Sequence, residues 1–76
     1  MGVMVKVDGP RLQRIRLSRG LTQQELEKSA RLNTCTIGRL ERTRGPASIT
    51  TVRKLAKALE VHVVELVVMS KPWVGT

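Results

Sequence analysis

Seventy-six residues allow one domain, and a core that small is marginal unless a disulfide, a metal or a second copy supports it. Cys35 is the single cysteine and His62 the single histidine, which excludes an internal disulfide and a Cys/His metal site. With 14 Lys and Arg, mostly Arg, against 6 Asp and Glu, the net charge of +8 points to a polyanionic partner, and the lack of Phe and Tyr leaves the core to Leu, Ile, Val and Ala.

The first seven residues carry Val at positions 3, 5 and 7 and read equally as a short strand or as an N-terminal arm. They are too short for a signal peptide, and Lys6 stands where a myristoylation signal after Gly2 wants Ser or Thr. Asp8-Gly9-Pro10 then announces a helix. Asp accepts from free first-turn amides, and Pro loses nothing in the first turn. Leu12 and Ile15 give this helix its inward face, and Gly20 is a natural left-handed stop.

The second helix has a complete entry signal. Thr22 and Glu25 form a T-x-x-E capping box, and Leu21 with Leu26 form a hydrophobic staple, which predicts a helix over residues 22–30. The turn Arg31-Leu32-Asn33 follows, with Leu32 inward and Asn33 as the next cap. The third helix is expected over residues 34–42. At about 100° per residue, Thr36, Ile37 and Leu40 share one side, while Thr34, Cys35, Gly38, Arg39 and Arg42 share the other.

Gly45-Pro46 marks residues 43–47 as a loop. Ser48 is the expected cap of a fourth helix, whose apolar positions Ile49, Val52, Leu55, Ala56 and Leu59 repeat at helical spacing. A short fifth helix is expected over residues 62–68, with His62 on the surface and Val63, Leu66 and Val67 buried, although its β-branched content argues against it. The expected organisation is an arm at 1–7, a domain at 8–68 and a tail at 69–76.

Two short helices joined by a tight turn, the second with one apolar face and one face of small and basic residues, form a helix-turn-helix that presents its second helix to the DNA major groove. Arg39 suits a guanine edge, and the Cys35 methylene suits a thymine methyl. Redox sensing by Cys35 is the weaker reading beside that of a small contact residue. Interior Gly38 costs a helix about 1 kcal/mol relative to Ala, a cost that close approach to the groove would justify. Gln23, at the start of the second helix, sits where free amides favour an anion.

The runs RLQRIRLSRGLTQQEL, TIGRLE at 36–41 and VRKLAKALEV at 52–61, in this order, resemble the Cro/CI-type (XRE) DNA-binding domain over roughly residues 8–68. The resemblance implies an all-α, compact five-helix, lambda-repressor-like fold with the helix-turn-helix at helices 2 and 3. It implies base contacts from Thr34, Cys35, Gly38 and Arg39, and phosphate contacts from Thr22, Gln23, Asn33, Arg42 and Arg44. It also implies a partly buried ion pair between Arg16 and Glu41. Three positions depart from the family's glycines: Arg31 in the turn, Thr43 after helix 3 and Glu60 after helix 4. A positive φ at Arg31 would carry strain.

The expected function is a sequence-specific transcriptional regulator, a repressor binding double-stranded DNA as a homodimer on a pseudo-palindromic operator. Val64, Val67, Val68, Met69 and Trp73 are the expected dimer interface, with Trp73 read equally as a tail residue, and the Val-rich arm is a candidate to pair with the Val-rich tail. The alternative is an antitoxin or adaptor of the same fold whose tail binds a partner protein. Asp8, Glu25 and Glu41 have structural roles, so no carboxylate pair remains for acid-base chemistry; no Ser/His/Asp set or phosphate loop exists, and no enzyme, cofactor or metal is expected. Without 18 consecutive apolar residues the chain is not expected to enter a membrane, and the cytoplasm is its expected location.

Overall fold

The computed structural model describes residues 3–43 and 46–68. Four α-helices, α1 Gly9–Ser18, α2 Gln23–Ala30, α3 Thr36–Thr43 and α4 Ile49–Leu59, surround an aliphatic core and are joined by a small antiparallel sheet of β1 Met4–Lys6 and β2 Pro46–Ser48. Leu12, Leu26, Ile37, Leu40, Leu55, Leu59 and Leu66 are fully buried side chains of that core.

Local chemistry sets each helix boundary. The Asp8 carboxylate accepts from Arg11 N at 3.2 Å to cap α1, and Gly20 turns the chain out of that helix at φ 72°. At α2 the capping box is closed both ways. Thr22 Oγ1 accepts from Glu25 N at 3.0 Å, and Glu25 Oε1 accepts from Thr22 N at 2.9 Å. Ser48 Oγ accepts from Thr51 N at 3.2 Å to cap α4. Arg31 and Glu60 end α2 and α4 in the left-handed conformation, at φ 57° and 60°, doing with a side chain what glycine does more cheaply.

Gly9 has a steric role as well as a place in the start signal. A methyl group on it would collide with the backbone carbonyls of Leu40 and Glu41, so its missing side chain lets the start of α1 lie directly on the end of α3.

Two expectations are corrected, the fifth helix and the loop before α4. The fifth helix is a single 3-10 turn at Val63–Glu65, after which the chain extends. Its run of valines disfavours helix and favours pairing. Val67 bridges Val7, Asp8 N donates to Leu66 O at 2.8 Å, and Val68 N donates to Lys6 O at 2.9 Å. Residues 4–6 take the strand of the two readings, with Val5 half-buried against the core, Met4 and Lys6 facing out, and Val7 buried just beyond the strand. Residues 46–48, most of them expected in a loop, pair with that strand in the register Met4↔Ser48, Val5↔Ala47, Lys6↔Pro46. Pro46, which has no N–H to give, sits at the strand's first position. Among the described residues the fold is therefore four α-helices and a small sheet rather than five helices.

Candidate nucleic-acid interface

The α3 helix is held on its inner side by two buried carboxylates. Glu41, on α3 itself, accepts from Arg16 Nε at 2.6 Å and from a second Arg16 nitrogen at 3.2 Å. The third guanidinium nitrogen donates to Leu21 O at 2.7 Å, at the entry to α2. Both side chains of the pair are buried, at 8% and 3% exposure. Gln23, the first residue of α2, donates through Nε2 to the same Glu41 carboxylate at 3.0 Å. One arginine and one glutamate thereby join α1, the start of α2 and α3.

The second carboxylate is Glu27, also buried, whose Oε2 accepts from Ile37 N at 3.0 Å. A carboxylate on α2 therefore caps a free amide in the first turn of α3. This role did not come from the sequence reading, which placed no function on Glu27. Its signal was available: Glu27 follows Leu26 on the inward side of α2, where an acid needs a buried donor.

This capping corrects the expected start of α3. The helix begins at Thr36, two residues later than the periodicity suggests, and residues 34–35 form a turn. Cys35 O accepts the first helical bond, from Arg39 N at 3.2 Å, which puts Cys35 rather than Asn33 at the cap position. Cys35 takes φ 73°, a left-handed kink that the sequence does not announce. With the first-turn amide satisfied from α2, the chain can enter α3 through this kink.

Arg39 and Arg42 are exposed on the outer face of α3, with Gly38 half-buried beside them, and Thr34 and Cys35 are exposed in the turn that precedes the helix. Gly38 lies against the Gln23 carboxamide: a Cβ built on it would stand 3.4 Å from Gln23 Oε1, an ordinary contact. A groove on this flank is lined by Gln13, Gln23, Cys35, Gly38, Arg42 and the paired carboxylate Glu41. Thr22 and Asn33 are exposed at either end of the unit, and Arg44 lies outside the described residues.

All six acidic side chains are engaged by caps or ion pairs: Asp8, Glu25, Glu27 and Glu41 as above, Glu60 with Arg19 at 3.8 Å, and Glu65 with Arg11 at 3.4 Å. The only acid on α3 is Glu41, which lines that groove but is buried and paired with Arg16, so no exposed carboxylate stands on the helix.

The predicted interface for a second copy is divided. Val64 is 59% exposed, whereas Val67 and Val68 are half-buried and their backbone is tied to β1. Met69 and Trp73 lie outside the described residues. No helix among the described residues is long and apolar enough to cross a membrane.

Comparison with known proteins supports the helix-turn-helix fold. A helix-turn-helix family model matches residues 12–66. The chain is 39% identical over 64 residues, covering 84% of its length and 83% of the relative, to the uncharacterized HTH-type transcriptional regulator y4dJ of Sinorhizobium fredii. Among solved structures it is similar to the restriction-modification controller protein C.AhdI from Aeromonas hydrophila, with TM-score 0.71 and 33% identity over 75% of this chain and 86% of that one.

Proposed function

This chain belongs to the XRE-type helix-turn-helix family of transcriptional regulators, and from that premise we propose that it is a repressor that binds a pseudo-palindromic operator as a homodimer, in the cytoplasm where the chromosome lies. The carrying observation is the outer face of α3, where Gly38, Arg39 and Arg42 stand together, with Cys35 in the turn before them and no exposed acid, while the buried carboxylates Glu41 and Glu27 fix the helix. Arg39 reads a guanine edge, and Thr34, Cys35 and Gly38 contribute contacts from the turn and first helical residues. Thr22, Gln23, Asn33, Arg42 and Arg44 contact phosphates, which set register and affinity without carrying sequence. A single α3 meets too few base pairs to define a unique site, which is the reason for a second copy and two half-sites.

Site selection from random duplex DNA, followed by competition with single-base variants, tests this reading. Arg39→Ala should lose discrimination at one position per half-site, by about 1–3 kcal/mol. Affinity of the wild type should fall roughly 10³–10⁵-fold between 50 and 200 mM salt if a dimer neutralises about 6–10 phosphates. No enriched sequence, or a flat salt titration, would sink the proposal. A loss for Arg39→Ala that is equal on every sequence would make Arg39 a phosphate contact instead.

A further inference from the structure

On the flank of α3 away from Gln23, a second cleft of about 460 Å³ lies between the helix-turn-helix and the start of α4. Arg31, Asn33, Thr36, Ser48, Thr51 and Lys54 line it, and Arg39 reaches it from α3. Arg31 and Lys54 also line a neighbouring cleft farther along α4, together with Lys57. These two cations therefore form a wall shared by both clefts. No carboxylate lines either one, and the six acids of the chain are engaged elsewhere.

We infer that the inner cleft seats a backbone phosphate of the bound operator, on the strand opposite the one Gln23 touches, with Arg31 and Lys54 as its charged contacts. The inference rests on the proposed DNA-binding function and extends it to residues outside the base-reading helix. The chemistry of the lining carries it. Arg31 and Lys54, the Thr36 hydroxyl and the Asn33 carboxamide are donors that a phosphodiester accepts from, and no carboxylate competes for them; the Ser48 and Thr51 hydroxyls bond each other at 3.1 Å and leave one proton between them for a ligand. Position also supports it: Arg39 and Thr36 put the cleft next to the base-reading face, so a duplex lying on α3 brings its second strand past this wall. Arg31 holds a left-handed backbone where glycine is the less strained residue, and a charged contact to DNA gives the arginine a use there.

The test uses the selected operator with a neutral methylphosphonate placed, one position at a time, along each strand. Lys54→Gln and Arg31→Asn are compared with Lys57→Gln, which removes the same charge from the same helix but lines only the outer cleft. Melting temperatures of all three verify the fold. Lys54→Gln should reduce the slope of log affinity against log salt by about 0.9 and weaken every sequence alike. That loss should vanish on the duplex carrying the methylphosphonate at one specific position, and Arg31→Asn should couple to the same position. Equal effects of Lys54→Gln and Lys57→Gln, with coupling to no single phosphate, would replace the seat by a diffuse field. An unaltered slope for Lys54→Gln, with the wild type still selecting an operator, overturns the seat alone. A wild type that selects no operator overturns both the seat and the function on which it rests.

Discussion

Gln23 Nε2 and Glu41 Oε1 meet at 3.0 Å, so a side chain proposed to touch DNA is bonded to the carboxylate that pairs with Arg16. Glu41, on α3, is thus the shared acceptor of α1 and α2, and losing it strands a buried guanidinium and frees the Gln23 carboxamide. Glu41→Ala should destabilise the domain by about 3–5 kcal/mol, toward the lower end because Arg16 keeps its bond to Leu21 O. Urea denaturation measures this directly. An unfolding midpoint equal to wild type would mean that the pair contributes nothing to folding.

Glu27 should act on the position of α3 as well as on stability. Glu27→Ala leaves Ile37 N unpaired in a buried place, a loss of about 1–3 kcal/mol. Glu27→Gln keeps a carbonyl acceptor of the same length and should recover part of it. Amide exchange at Ile37 reports the bond itself: faster exchange in Glu27→Ala than in Glu27→Gln is the expected order, and equal rates would show that the carboxylate does not cap α3.

Gly38 separates folding from binding. Its missing side chain is not required by packing, because a Cβ meets only the Gln23 carboxamide at contact distance. Gly38→Ala should therefore stabilise the helix by up to about 1 kcal/mol. It should also weaken operator binding, because a methyl group would stand where the helix backbone approaches the groove. A variant both more stable and equally tight on DNA would show that Gly38 does not face the duplex.

Glu60 offers the reverse case, a backbone cost away from the interface. It ends α4 at φ 60° with its side chain largely exposed beside Arg19. Glu60→Gly should relieve about 1 kcal/mol of left-handed strain, and the exposed ion pair it removes is worth little. A raised melting temperature with unaltered operator affinity is the expected result; a lowered one would mean that the Arg19 contact outweighs the strain.

The parts of this fold that were legible in sequence are those governed by local chemistry. Asp8, the Thr22–Glu25 box and Ser48 mark caps within a few residues of their partners, and the spacing of Leu26, Val52, Leu55 and Leu59 identifies buried faces. What escaped depends on residues distant in sequence. The bond from Ile37 to Glu27 spans ten positions and decides where α3 starts, so helical periodicity alone set that start two residues early. The pairing of β1 with Pro46–Ser48 joins segments about forty residues apart and turned an expected loop into a strand. The valines of 61–68 carried a warning against helix, and the bridge from Val7 to Val67 shows what they do instead. Within the interface, the face of α3 followed from periodicity, whereas the left-handed kink at Cys35 and the cleft between Arg31 and Lys54 follow only from packing.

That same bridge determines how the proposed dimer should be tested. Val67 bridges Val7 and Val68 bonds Lys6 of β1 within the same chain, so a truncation after Leu66 would remove part of the fold along with any interface. Truncation after Val68 keeps those bonds and removes Met69 and Trp73, the remaining apolar candidates of the tail. The shortened chain should retain the far-ultraviolet circular dichroism spectrum of the full chain, sediment as a monomer and bind a half-site without cooperativity. The full chain should melt at a temperature that rises with its concentration, because association stabilises the folded form by mass action, and the shortened chain should not. Should the shortened chain still sediment as a dimer, residues 69–76 are not the interface. Leu17 and Val64, 60% and 59% exposed, would then be the next positions to charge-substitute.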